Sequence, residues 1–164
     1  MRLTRKFLGM AITAAIAAVL LLPAGSPNAA SGEDAIKQRR ELMKNVVSKN
    51  WKPIKAYAKK GEGTPAAVAA HAAKISEAAG KITALFPKGT GRGDFSDKTT
   101  RALPAIWKDW AGFEKATKAL ADESAKLAAI AKSGDKDAIV KQIGATGKLG
   151  CSGCHKPFRG AKVK

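Results

Sequence analysis

After residue 31, apolar residues recur three and four positions apart along almost the whole chain, and that period decides what it can fold into. Ile36, Arg39, Met43, Val46 or Val47 and Asn50 mark one face of a helix A, with Pro53 as its expected kink or end. Thr64 and Pro65 supply a cap and first turn for helix B, whose face runs Val68, His71, Ile75, Ala78, Ile82 and Leu85. Phe86, Pro87 and the glycine-rich stretch 88–98 read as a long loop. Pro104 opens helix C, the longest, through Ile106, Trp110, Phe113, Thr117, Leu120, Ser124, Leu127 and Ala131. Ser133 and Gly134 end it, Asp135 caps helix D, and Ile139 and Ile143 mark its face before Gly144, Gly147 and Gly150 loosen the pattern. No segment alternates with period two, and alanine, the best helix former, is the commonest residue. The expected fold is all-α, an antiparallel four-helix bundle. Its stripes are thin, because many positions are Ala and Arg39, His71, Thr117 and Ser124 interrupt them. Such a bundle is expected to pack around something besides its own side chains.

Residues 1–30 are of a different kind. Arg2, Arg5 and Lys6 precede an uncharged run from Phe7 to Leu22, and Pro23 and a small, polar stretch follow. This is the pattern of a cleaved secretory signal peptide, with cleavage near Ala30 or Ser31. The apolar run falls short of the roughly 20 residues a spanning helix needs, so no permanent membrane anchor is expected. The remaining 31–164 form one domain, placed by export in the periplasm. The chain's formal charge of +17 falls by three when the leader goes. Export removes nucleic acid as a partner for that charge and leaves anionic membrane surfaces or acidic proteins. Much of the excess is also what solvated helix faces would carry.

The chemistry lies near the carboxyl end. Cys151, Ser152, Gly153, Cys154 and His155 spell C-x-x-C-H, the attachment motif of c-type haem. Thiols one helical turn apart can each add to one of the two porphyrin vinyl groups, and a histidine beside the second thioether can reach the iron as proximal ligand. A disulfide, a thioredoxin-like dithiol and half of a zinc site are the competing readings. The second lacks its βαβ context, and the third lacks ligands, since only His71 remains.

Several segments now carry a resemblance to a family: C-S-G-C-H-K-P-F-R at the carboxyl end, A-I-K-Q-R-R-E-L-M in helix A, L-F-P-K-G-T in the loop and L-P-A-I-W at the start of helix C. Together they resemble the class II c-type cytochromes, comprising cytochrome c′ and the low-spin cytochrome c556 proteins. The I-W and F-P-x-G-T segments look closest to the c556 branch. The resemblance implies one covalent haem c on Cys151 and Cys154, with His155 as proximal iron ligand. Arg159 is implied near the proximal side, Trp107 as a haem-packing tryptophan and Arg39 as the haem-side arginine of helix A. Independently, a guanidinium in an apolar stripe calls for an anionic partner, which a haem propionate would provide. Arg40 and an arginine snorkelling off the stripe's edge are the alternatives.

The resemblance puts Met43 on the distal side. If its thioether binds iron, ligation is His155/Met43, the haem is low-spin, and the function is one-electron transfer; this is the expected function. If Met43 only fills the core, as most methionines on an apolar stripe do, the iron is five-coordinate and binds NO or CO. His71 is expected to be structural. Arg92-Gly93-Asp94 and G-T-G-R-G receive no function, and no constellation of nucleophile, base and acid is present, so no enzyme activity is expected. The expected partner is a redox protein with an acidic face, and the resemblance also allows a homodimer.

Overall fold

The computed structural model describes Gly32–Val163, so the signal peptide assigned to 1–30 lies outside the described residues. Helix A comprises α1 (Gly32–Glu41), a π-helical stretch Leu42–Ser48, and α2 (Lys49–Lys60). It does not break at Pro53. The donor that Pro53 lacks falls just after the π-helical stretch, where the i→i−4 ladder is already interrupted, and Asn50 Nδ2 donates to the Val46 carbonyl at 2.8 Å. The helix ends instead at Gly61, whose φ of 72° suits glycine.

In helix B, α3 (Pro65–Ala79), the Thr64 hydroxyl accepts from Ala67 N at 3.2 Å, as its position before Pro65 implied. This helix stops at Ala79, short of the expected Leu85, and a single 3-10 turn (Thr83–Leu85) carries the chain on. Helix C is divided. A short α4 (Ala105–Lys108) is followed by Asp109 in a non-helical conformation (φ −126°, ψ 66°), whose carboxylate accepts from Gly112 N at 3.0 Å and so starts α5 (Trp110–Ala131). The break was hidden because Ile106 and Trp110 keep the four-residue spacing across it.

Helix D starts as α6 (Lys136–Ala145), with Asp135 Oδ1 accepting from Asp137 N and Ala138 N at 3.0 and 3.1 Å. It does not loosen at its glycines. A second π-helical stretch, Thr146–Ser152, leads directly into α7 (Gly153–Phe158). The glycines allow close approach: a Cβ on Gly150 would lie 3.0 Å from Leu120 Cδ1 of helix C, and one on Gly147 would lie 3.5 Å from the Trp51 ring of helix A.

Helix A packs on B, B on C, C on D and D back on A, closing an antiparallel four-helix bundle. Ile54, Ile75, Phe113, Leu127 and Ile139 form its centre, each at most 1 % exposed. Polar contacts pin the pairs: His71 Nδ1 with Asn50 Oδ1 at 2.9 Å, Ser76 Oγ donating to Ala121 O at 2.9 Å, and Gln142 Nε2 donating to Glu123 Oε2 at 2.7 Å. His71 is thus held between helices B and A, consistent with a structural role. No helix among the described residues is long and apolar enough to cross a membrane.

The fully buried Ser124 hydroxyl has no hydrogen-bond partner. An unpaired buried hydroxyl is a cost that alanine does not carry. Ser124→Ala is therefore expected to raise stability by about 1 kcal/mol, read from chemical denaturation of the holoprotein.

Candidate haem site

Cys151 lies near the end of the π-helical stretch of helix D, and Cys154 and His155 follow on α7. Both thiols are free and half-buried, and both pack against the apolar core. Burial pushes the pKa of each upward, that of Cys154 to about 11; at Cys151 the positive charge of Lys55 partly opposes this. Protonated thiols are poor candidates for disulfide exchange or for a zinc thiolate. Among the described residues no three His, Cys, Asp or Glu groups are placed to hold a metal ion. Solvent still reaches much of His155, yet partial burial of its ring, with the charges of Arg159 and Arg101, lowers its pKa. At neutral pH the imidazole is uncharged and has a lone pair to give. Two protonated thiols one turn apart beside a neutral imidazole are the donor set that covalent haem c requires, so the residues fit the group.

The chain beyond α7 holds this end in place. Leu103 N donates to Phe158 O at 3.1 Å, Gly160 N to Arg101 O at 2.8 Å, and Arg101 Nε to Gly160 O at 2.8 Å. Arg92 Nη2 adds a bond to Ala161 O at 2.5 Å. The segment leaving the B–C loop is thereby stapled to the tail, which sets Arg101 beside His155 and Arg159. Arg159 lies close enough to His155 for its charge to act on the ring. Arg101 went unnoticed in the sequence because its neighbour comes from 54 residues away and no local pattern marks it. Arg92 and Asp94 serve the loop itself, Asp94 Oδ2 accepting from Gly91 N at 3.1 Å.

Aromatic rings form a cluster beside this end. Phe113 lies 4.8 Å from Phe86, 5.4 Å from Phe158 and 5.6 Å from Trp110, centroid to centroid. Trp107, half-buried on α4, donates its indole N–H to Phe86 O at 3.0 Å and covers Gly91, where any Cβ would collide with the ring. Arg39 sits over the other side of the same segment, its guanidinium 4.5 Å from the centre of the Phe86 ring. It is 5 % exposed. Nη1 donates to Thr90 Oγ1 at 2.8 Å and Leu85 O at 3.3 Å, and Nη2 to Thr90 O at 2.5 Å and Thr100 Oγ1 at 2.8 Å. Burial pushes its pKa down to about 10, so it stays charged at neutral pH. These four partners are neutral loop oxygens, where the stripe had called for an anion. Arg40, the alternative for this role, is exposed and donates to Thr99 O at 3.3 Å.

Met43 lies in the first π-helical stretch, half-buried against the same core as Leu42, Val46 and the two thiols. This is the environment of a methionine that fills space.

The family model described as Cytochrome C′ matches residues 34–159. A cytochrome c′ of Rhodospirillum rubrum is 33% identical over 150 residues, covering 92% of this chain and 97% of its own. The structure of cytochrome c′ from Rhodobacter spheriodes superposes with a TM-score of 0.70 at 30% identity, over 80% of this chain and 98% of that one. A nitric oxide complex of a cytochrome c prime variant from Alcaligenes xylosoxidans gives 0.68 at 28% identity, over 80% and 98%. These relatives correct two expectations. The c556 branch is not supported, and neither is the six-coordinate His155/Met43 electron carrier: relatives and structural neighbours alike carry the name cytochrome c′. The chain belongs to the cytochrome c′ family and is a c-type cytochrome with covalent haem c.

Proposed function

We propose that the mature domain, 31–164, is a periplasmic gas-binding haem protein. Cys151 and Cys154 form its thioethers, His155 is the single protein ligand to iron, and NO or CO binds on the Met43 side. What carries this reading is the membership in a family whose relatives are cytochromes c′, one of them solved with nitric oxide bound. The group supplies an iron with one open axial position. The chain's own residues decide what reaches it. Leu42, Met43 and Val46, partly buried against the core, would give the distal side an apolar lining without a hydrogen-bond donor, which suits uncharged diatomic ligands better than ligands that need proton donation. Arg39 holds the B–C loop and, charged against neutral oxygens, would supply the positive charge that haem propionates need. Arg101 and Arg159 bring two more to the proximal side, where they favour a neutral His155. Electrons reach the iron from a redox partner with an acidic face, as the net charge suggests.

Three measurements test this. The oxidised holoprotein is expected to give high-spin bands, and the reduced one to bind CO without first losing a ligand. Met43→Leu should keep the spectrum and change CO affinity by no more than about twofold, the effect of altered packing alone; a low-spin spectrum abolished by that change would overturn the reading.

In Cys151→Ser/Cys154→Ser the haem should become extractable by acid and organic solvent, whereas wild type retains it. Arg39→Leu removes all four hydrogen bonds to Leu85, Thr90 and Thr100 and should cost about 2–3 kcal/mol in denaturant unfolding. Arg39→Lys should recover part of that loss, since it returns the charge without the fork.

A further inference from the structure

Helix A carries a run of lysines that the haem site does not use. α2 holds Lys49, Lys52, Lys55, Lys59 and Lys60 and not one acidic residue. Two concavities open along it. One, of about 710 Å³, lies between helices A and B and is walled by Lys49, Lys52 and Lys74. The other, of about 250 Å³, is walled by Lys52, Lys55, Lys59 and Lys60. They share Lys52 and Ala56, so they form one trough, and no carboxylate lines either part. Glu62 meets Lys60 at 3.5 Å, at the far end only. Helix C is a contrast. There Lys115, Lys118 and Lys126 are interspersed with Glu114, Asp122 and Glu123, and Lys118 pairs with Asp122. The positive charge is therefore concentrated where chain folding alone would have dispersed it, since like charges at close spacing repel.

The Lys55 wall of the trough reaches toward the attachment cysteines. Helix A packs on helix D through Trp51 and Gly147, four residues before Cys151, and the Lys55 ammonium lies close enough to Cys151 for its charge to be felt there. We propose that this lysine trough docks an acidic electron-donor protein and guides it to the Cys151 edge of the haem, an inference that rests on the haem reading above. One electron passes from the donor to the iron, Fe(III) becoming Fe(II), with no bond made or broken and no proton moved. A protein suits the site better than a membrane surface. The trough is concave, and the large exposed apolar side chains among the described residues, Leu149 and Val163, do not belong to α2, whereas an interfacial helix pairs its lysines with apolar side chains that insert. Dense positive charge of this kind acts mainly on the association rate and is screened by salt.

The test uses holoprotein and reduced flavodoxin, an acidic one-electron donor, in stopped flow. The second-order rate constant of wild type should fall at least about tenfold between roughly 10 mM and 500 mM salt. Lys52→Glu/Lys55→Glu/Lys59→Glu should lose at least about tenfold at low salt together with most of its salt dependence, and the milder Lys52→Gln/Lys55→Gln/Lys59→Gln should lose about threefold. Lys115→Glu/Lys126→Glu on helix C should stay within about threefold of wild type. Equal loss in the helix C variant would show that net charge and not the trough matters, and a triple variant as fast as wild type would overturn the site outright. Co-sedimentation with phosphatidylglycerol vesicles that depends on these lysines, with flavodoxin rates that do not, would replace the protein partner with a membrane. Carbon monoxide binding to the dithionite-reduced proteins reads the haem proposal separately: a wild type that flavodoxin reduces in the salt-dependent way but that refuses CO overturns the five-coordinate haem and supports the trough.

Discussion

A buried guanidinium holds the haem end of this bundle together. Arg39 is fixed in helix A, its four hydrogen bonds end on Leu85, Thr90 and Thr100, and its charge rests on the Phe86 ring. The long B–C loop has no helix or strand of its own to order most of it, so it takes its shape from this arginine on one side and from Trp107 on the other. From that loop the chain passes to Thr100 and Arg101, which meet the tail behind His155. A helix A residue therefore positions, through a loop, the groups that surround His155, more than a hundred residues later. Burying an arginine is expensive, and folding recovers that cost only if the loop oxygens are presented correctly, which makes the loop conformation cooperative with the bundle.

The bundle and its attachment motif were legible in the sequence because both are local. Helix faces show as three- and four-residue spacing, the Thr64 and Asp135 caps show as single residues before a periodic run, and Cys151, Cys154 and His155 fall within five positions. What could not be read is what depends on backbone detail or distant contact. Pro53 looked like a break because a standard helix cannot spare the hydrogen bond, and no residue type announces a π-helical stretch. Gly147 and Gly150 looked like loosening because their use, letting Trp51 and Leu120 come close, lies on other helices. Asp109 looked like part of helix C because capping and helical aspartates share one letter. Arg39 stood out as a charge on an apolar stripe, but the loop oxygens it meets come from 46 to 61 residues away, where no local pattern marks them.

Function was the harder matter, since it turned on Met43. A methionine on an apolar helix face has the same sequence signature whether its sulfur faces metal or only carbon. The motif points to covalent haem and says nothing about a sixth position. It took relatives along almost the whole chain to move the balance toward the open coordination site.

Both π-helical stretches fall on the residues that matter: Leu42–Ser48 contains Met43, and Thr146–Ser152 contains Cys151. A π-helical turn holds one more residue than an α-helical one, so it widens the helix locally and weakens its hydrogen bonding, a cost rarely kept without use. Here the two widened turns lie on helices A and D, one bearing Met43 and the other Cys151. Both of these side chains are half-buried where a tightly packed bundle would bury them fully. The thin stripes have the same consequence, since alanine leaves space that leucine would take. A chain that filled that space with its own side chains would be a more stable apoprotein and would leave less for a bound group to complete. The widened turns and the thin stripes act in the same direction: Met43, Cys151 and Cys154 stay half-buried, and a haem held covalently would complete the packing without being able to dissociate.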